Sequence, residues 1–190
     1  MSKKFTYAKA GVDRELRAKS KESLKRLNET YKYSRYGKIA KLPYGNIFPF
    51  GNCYLDFQIE GVGSKVLLAQ LADKYDTIGI DAVALAVNDV IRSGAKPLAI
   101  VDNIHAQVSN LQLVNEWIKG IARGASEAEC LVPAGEIGDV AEVIKGLLEG
   151  KGFDMIVASI GEVAKKDIVY GNKIKSGDVV IGLRSSGIHS

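Results

Sequence analysis

With 190 residues, 46% hydrophobic and 25% charged, the chain has enough apolar material for one packed core and too much for a disordered segment. No apolar run approaches membrane-spanning length, and the start, Met-Ser-Lys-Lys, lacks the apolar stretch of a secretory signal. A cytoplasmic protein without a membrane partner is expected, and its two cysteines, Cys53 and Cys130, read as buried free thiols rather than a disulfide scaffold or metal knuckle.

The net charge of +4 is unevenly spread: residues 1–41 hold 13 Lys/Arg against 4 Asp/Glu, leaving 13 against 18 in the remainder. This basic leader also carries Tyr7, Tyr31, Tyr33 and Tyr36, a composition that RNA binding uses. No nucleic-acid motif accompanies it, so the reading is a solvated helix from Arg14 to Asn28 followed by a mobile loop, with no nucleic-acid partner. Next, Cys53, Leu55, Phe57 and Ile59 alternate with Tyr54, Asp56, Gln58 and Glu60, the period of a half-buried strand. Ser64 to Lys74 has helical spacing. Asp81 is placed to cap a helix that ends near Gly94, with Pro97 blocking its continuation. Leu98 to Ile104 reads as a short strand. Asn110 is placed to cap a helix whose apolar stripe includes Val114, Trp117, Ile118, Ile121 and Ala125, which makes Trp117 a core residue. Leu131-Val132 reads as a short strand, Asp139 to Glu149 as a short helix, and Met155 to Val163 and Val179 to Leu183 as further strands. His105, at a strand end, has no evident partner and takes a structural role.

The chemistry concentrates at the end of the strand that starts at Cys53. The run Glu60-Gly-Val-Gly-Ser-Lys65 delivers a carboxylate, two glycines, a hydroxyl and a lysine. Glycines let a backbone approach a ligand closely, exposed amides bind phosphate oxygens, and a carboxylate beside them can hold Mg²⁺. Taken alone the run fits an ordinary strand-to-helix turn equally well, since it is neither a Walker A loop nor a full dinucleotide fingerprint. Two further acidic elements shift the balance: Asp76 to Asp81 leading to Asn88-Asp89, and Ala134-Gly135-Glu136. For each carboxylate the plain alternative is a helix cap, a solvated helix face or a loop.

In this order, Tyr7 to Asp13, Glu60 to Lys65, Asp76 to Asp81, Val87 to Asp89, Ala134 to Glu136 and Ser185-Ser-Gly-Ile-His-Ser190 closely resemble the aminoimidazole ribonucleotide synthetases, also called phosphoribosylformylglycinamidine cyclo-ligases. Asp76 to Pro97 is the most specific stretch. The resemblance implies an α+β N-terminal domain with a mixed sheet packed against helices, its sheets pairing across a homodimer. It divides the chain into a basic mobile segment, 1–41, an ATP-binding domain, 42–184, and the start of a linker motif, 185–190. In the family that motif continues as Asn-Gly into a second domain, so half of the active-site cleft is expected to lie outside this chain. On this chain the resemblance implies Mg²⁺ on Glu60, Asp89 and Glu136. Lys25, Gly61, Gly63, Ser64, Lys65 and Asn88 would contact ATP, and His189 and Ser190 would face the substrate, formylglycinamidine ribonucleotide. No nucleophile and base argue for covalent catalysis.

The chain also departs from the family. Glu60 stands for the usual Asp, and its extra methylene carries the carboxylate outward. Asn46 to Asn52 is poor in the glycines usual upstream. Ile137-Gly-Asp139-Val-Ala follows Glu136 in place of the family's second acidic motif, with Asp139 as a replacement acid. A divergent member or a related superfamily enzyme such as thiamine monophosphate kinase fits these departures, and a non-catalytic ATP-binding or dimerisation module is the reading from another class.

Overall fold

The computed structural model describes residues 6–189. Six strands form one mixed sheet in the order β1-β2-β3-β6-β4-β5. These are β1 (Ala40–Leu42), β2 (Gly45–Phe50), β3 (Cys53–Gly61), β4 (Lys96–Ala106), β5 (Leu131–Asp139) and β6 (Phe153–Ala164). Every neighbouring pair is antiparallel except β4 with β5. That parallel pair requires a crossover, which a long helix between the two strands supplies. The α+β class and the mixed sheet against helices expected from the resemblance are what the structure shows.

The described residues also form four α-helices: α1 (Arg14–Ser20), α2 (Lys65–Ala72), α3 (Ile78–Ile91) and α4 (Leu111–Glu127). Asn110 caps α4 as expected, its Oδ1 accepting from the amides of Gln112 at 2.9 Å and Leu113 at 3.2 Å. The core lies between sheet and helices. Ile100 and Ile104 of β4 and Met155 and Val157 of β6 meet Ala82, Val83 and Ala86 of α3 and Trp117 and Ile121 of α4. Trp117 is fully buried, its ring 4.9 Å from that of Phe153. Removing a large apolar side chain from water contributes about 1.5–3 kcal/mol, so this layer dominates the stability of the domain. The α3–α4 crossing is narrow. A Cβ on Gly120 would lie 3.0 Å from the Cα of Gly79, and one on Gly124 3.0 Å from Val83 Cβ.

Several expectations are corrected. Helix α1 ends at Ser20, and a 3₁₀ segment continues over Lys21–Tyr33 with no buried residue. Asp81 is no cap: α3 begins at Ile78, and Asp81 lies in its first turn, where an acid suits the helix dipole. Strand β5 runs through Glu136 to Asp139, so Glu136 sits in a strand rather than a loop. Residues 139–149 do not form a helix. Amides in and just after this stretch are taken by buried glutamines: Leu147 N donates to Gln70 Oε1 at 2.8 Å and Gly150 N to Gln107 Oε1 at 3.1 Å. Only the first turn, with Ile144 N donating to Val140 O at 2.9 Å, is helical in kind. Val179 to Leu183 is not a strand among the described residues. It has no ladder partner and lies exposed, Val180 at 95%. Cys53 and Cys130 are free but half-buried rather than buried.

In β3 the expected alternation is present: the polar row faces the helices and the apolar row faces out. Asp56 is fully buried, whereas Phe57 is 59% and Ile59 68% exposed. Phe48 and Phe50 of β2, in register with Leu55 and Cys53, extend this exposed apolar face.

Candidate functional site

The inward row of β3 ends at Glu60, and α3 packs over this part of the sheet. The carboxyls of Glu60 and Asp89 meet there within hydrogen-bonding reach. Burial, then the neighbouring Asp89 carboxyl, hold Glu60 above the usual carboxylate range, while Arg92 pulls it down. The longer side chain of Glu60 therefore reaches Asp89 of α3. One turn on from Asp89, Arg92 closes the group, its Nη2 lying 2.8 Å from Asp89 Oδ2. Deeper in the same row, Asp56 accepts from Gln58 Nε2, and its Oδ2 is buried with no hydrogen-bond partner among the described residues.

Beyond Glu60 the chain turns into α2. Val62 N donates to Met155 O at 3.0 Å, which fixes the turn to β6. Gly63 adopts φ +65°, a conformation a side chain would strain. Ser64 precedes α2 without capping it. Lys65 is engaged twice: its Nζ lies 2.7 Å from Asp81 Oδ2 and donates to Ile188 O at 2.6 Å. That second bond draws the segment after Ser185 toward α3. A cleft of about 290 Å³ lies there, lined by Asp81, Ala84, Leu85, Asn88, Asp89 and His189.

The structure thus brings together Glu60 with Asp89, and Asn88 and Asp89 with His189. It places Lys65 at their edge through Asp81. Gly61, Gly63 and Ser64 form the adjoining turn and do not line the cleft. Lys25 lies exposed on the 3₁₀ segment and is not in the lining. Glu136 is exposed on β5, the edge strand, opposite Asn103 of β4. Ser190 lies outside the described residues. A larger hollow of about 360 Å³, between the 3₁₀ segment and β2, is lined chiefly by rings such as Tyr31, Tyr36 and Phe50 and contains no acid, so it offers nothing to a metal.

Among the described residues no three His, Cys, Asp or Glu side chains gather around one point. Two facing carboxyls nevertheless fit Mg²⁺, which is usually held by one or two carboxylates and completes its shell with water and phosphate oxygens. Three contributors to the site were missed in the sequence. Arg92 carried a signal, the i,i+3 spacing from Asp89. Tyr44, whose ring the Arg92 guanidinium covers at 4.6 Å, carried none, and the Lys65–Asp81 pair was hidden by the expectation of a cap.

In class, then, this is an α+β domain whose acidic residues collect where β3 meets α3. The chain belongs to the family described as AIR synthase related protein, N-terminal domain, which matches residues 47–163. It is 39% identical to a phosphoribosylformylglycinamidine cyclo-ligase of Pyrococcus furiosus, over 98% of this chain and 55% of that protein. It is 42% identical to the chloroplastic phosphoribosylformylglycinamidine cyclo-ligase of Arabidopsis thaliana, over 80% of this chain and 40% of that one. The chain therefore spans about half the length of the curated relatives it matches. The fold is similar to a solved structure of AaThiL complexed with AMPPCP and TMP, with TM-score 0.54 and 17% identity over 77% of this chain and 42% of that one. No helix among the described residues is long and apolar enough to cross a membrane.

Proposed function

We propose that this chain is the N-terminal part of a cytoplasmic, ATP-dependent cyclo-ligase. It closes formylglycinamidine ribonucleotide to aminoimidazole ribonucleotide in purine biosynthesis, giving ADP and phosphate. The observation that carries the reading is the meeting of Glu60 and Asp89 beside the cleft that Asn88 and His189 share. The names of the relatives support the reaction, and the AMPPCP complexed with AaThiL, a nucleotide analogue on a similar fold, supports ATP.

In this reading the terminal phosphoryl group of ATP passes to the formyl-amide oxygen of the substrate. A substrate nitrogen then attacks that carbon, the imidazole ring closes, and the oxygen leaves as phosphate. The protein contributes positioning and charge neutralisation. Glu60 and Asp89 hold Mg²⁺, which offsets the phosphate charge when bound, and Glu136 is a further acid whose approach needs the nucleotide. The Gly61–Ser64 turn presents amides toward phosphates, Asn88 hydrogen-bonds the nucleotide, and Lys25 approaches from the basic segment. His189 and Ser190 face the substrate. Lys65 holds the segment bearing His189 through Ile188 O and meets the phosphates from there.

Assembly follows from the exposed row of Phe48, Phe50, Phe57 and Ile59. Apolar side chains gathered on one sheet face mark an interaction surface, and a two-fold pairing of two copies covers it, giving a homodimer. That surface also suits a module that only binds ATP and dimerises. Turnover separates the two readings.

The test is aminoimidazole ribonucleotide formation by the full-length protein and its Asp89→Asn variant. Loss of Mg·ATP-dependent turnover with the fold intact is expected, since Asn keeps the shape and removes the charge a hard cation needs. Undiminished turnover in Asp89→Asn would rule out the role given to the acidic pair.

A further inference from the structure

Arg92 is held from two sides. Its Nη2 lies 2.8 Å from Asp89 Oδ2, and its Nε donates to Asp89 O at 3.2 Å. Its guanidinium carbon stands 4.6 Å from the centre of the Tyr44 ring. That ring is itself fixed, because the Tyr44 hydroxyl donates to Arg92 O and approaches Val169 O at 3.4 Å. A planar guanidinium stacked on an aromatic face loses less freedom on pairing than a lysine on a flexible stem. Arg92 is thus a cation placed in advance against one carboxylate of the acidic pair.

We propose that Arg92, seated on Tyr44, is a resident counter-cation for Asp89 and sets how tightly the Glu60–Asp89 pair takes a divalent cation, by competing for the Asp89 carboxylate. The inference rests on the proposed metal role of that pair. Without a metal, Glu60 and Asp89 face each other with no other cation paired to them among the described residues, and Arg92 offsets their charge. A divalent cation that arrives at Asp89 finds Oδ2 engaged and a positive charge beside it. Both effects weaken its binding. Arg92 is a positioning residue here: it touches the ligand of the metal, not the metal or the substrate. The arrangement favours a metal that arrives with nucleotide phosphates over the free ion, because the phosphates offset the repulsion from Arg92.

Mn²⁺ is the probe, its free signal followed by electron paramagnetic resonance as the intact protein is titrated, with and without ATP. Wild-type protein, Arg92→Gln, Arg92→Lys, Tyr44→Leu and Asp89→Asn are compared, with circular dichroism as the check on folding. Arg92→Gln is expected to bind free Mn²⁺ about three- to tenfold more tightly, the size set by one exposed ion pair and one neighbouring like charge. Arg92→Lys stays within about twofold of wild type, because it keeps the charge. Tyr44→Leu, which removes only the platform, shifts affinity in the same direction by less, and it decides the matter if Arg92→Gln does not fold. The gain in Arg92→Gln shrinks when ATP is present and at high salt. Equal or weaker Mn²⁺ binding in folded Arg92→Gln or Tyr44→Leu, with wild type binding and Asp89→Asn not, overturns the role of Arg92 and leaves the metal site standing. Absence of Mn²⁺ binding by wild type even with ATP overturns both.

Discussion

Gly120→Ala sets two opposed effects against each other. Gly120 lies in the middle of α4, where alanine is intrinsically better than glycine by about 1 kcal/mol. Propensity alone therefore predicts stabilisation. The structure predicts the reverse. A Cβ at this position would stand 3.0 Å from the Cα of Gly79 and closer still to the carbonyl oxygen of Asp76, both backbone atoms that no rotamer change can move. Relief requires α4 to back away from α3, which opens the layer that buries Trp117, Val83 and Ile121. Overpacking of this kind costs about 1–3 kcal/mol, and the fixed backbone places Gly120 at the upper end. After the propensity gain, a net loss of about 2 kcal/mol remains, or roughly 4–8 °C in Tm for a domain of this size. Urea and thermal unfolding followed by circular dichroism measure it. The same retreat moves α3, which carries Asp81, Asn88 and Asp89, so divalent-cation binding should weaken along with stability. A Gly120→Ala protein as stable as wild type, or more so, would refute the close-crossing argument.

Two other outcomes are expected. Asp102 is buried on β4, its carboxylate pressed against the backbone of Gly135, and that burial raises its pKa. A carboxyl that binds its proton more tightly when folded has no penalty below the ordinary carboxylate range and an increasing one as pH rises through its folded pKa. Asp102→Asn is therefore expected to stabilise at pH 7 and to match wild type near about pH 3, below the ordinary aspartate value; a urea-midpoint difference that is the same at both pH values contradicts this. Phe57→Glu places a charge in the exposed apolar row without touching the core, so it should leave the unfolding midpoint of the protomer unchanged and convert the proposed dimer to monomer in sedimentation. Wild-type protein that is monomeric across a wide concentration range contradicts the assembly.

Elements with a strong local signature were legible in the sequence. Asn110 announced α4 because capping is a local hydrogen bond between neighbours in the chain, and the stripe containing Trp117 and Ile121 announced its buried face. The acidic residues were legible as types in an order, and the structure places two of them, Glu60 and Asp89, together although they are far apart in the chain. What was illegible depended on distant partners. Residues 139–149 have the composition of a helix, but Gln70 and Gln107, from α2 and from the turn after β4, take amides that a helix would have used. The apolar run Val179 to Leu183 has the composition of a strand, yet a strand exists only through a ladder with another. Asp81 has the residue type of a cap, but Lys65 at 2.7 Å claims its carboxylate instead.

The two faces of β3 show why alternation located a strand and left its sides unassigned. Period two says only that alternate residues share a face. Which row turns inward depends on what the sheet packs against. Here the core beneath the sheet is supplied by β4, β6, α3 and α4, and β3 turns Asp56, Gln58 and Glu60 toward α3 instead. The pairing of Glu60 with Val157, and of eight further residues in unbroken register with β6, fixes that choice. A slip of one residue would expose the acidic row and bury Phe57 and Ile59. The same register therefore decides two things: Glu60 reaches Asp89, and the apolar row remains outside, available to a second copy. Any substitution that lets β3 slip against β6 should lose the acidic pair and the apolar face together, whereas Phe57→Glu should lose only the second.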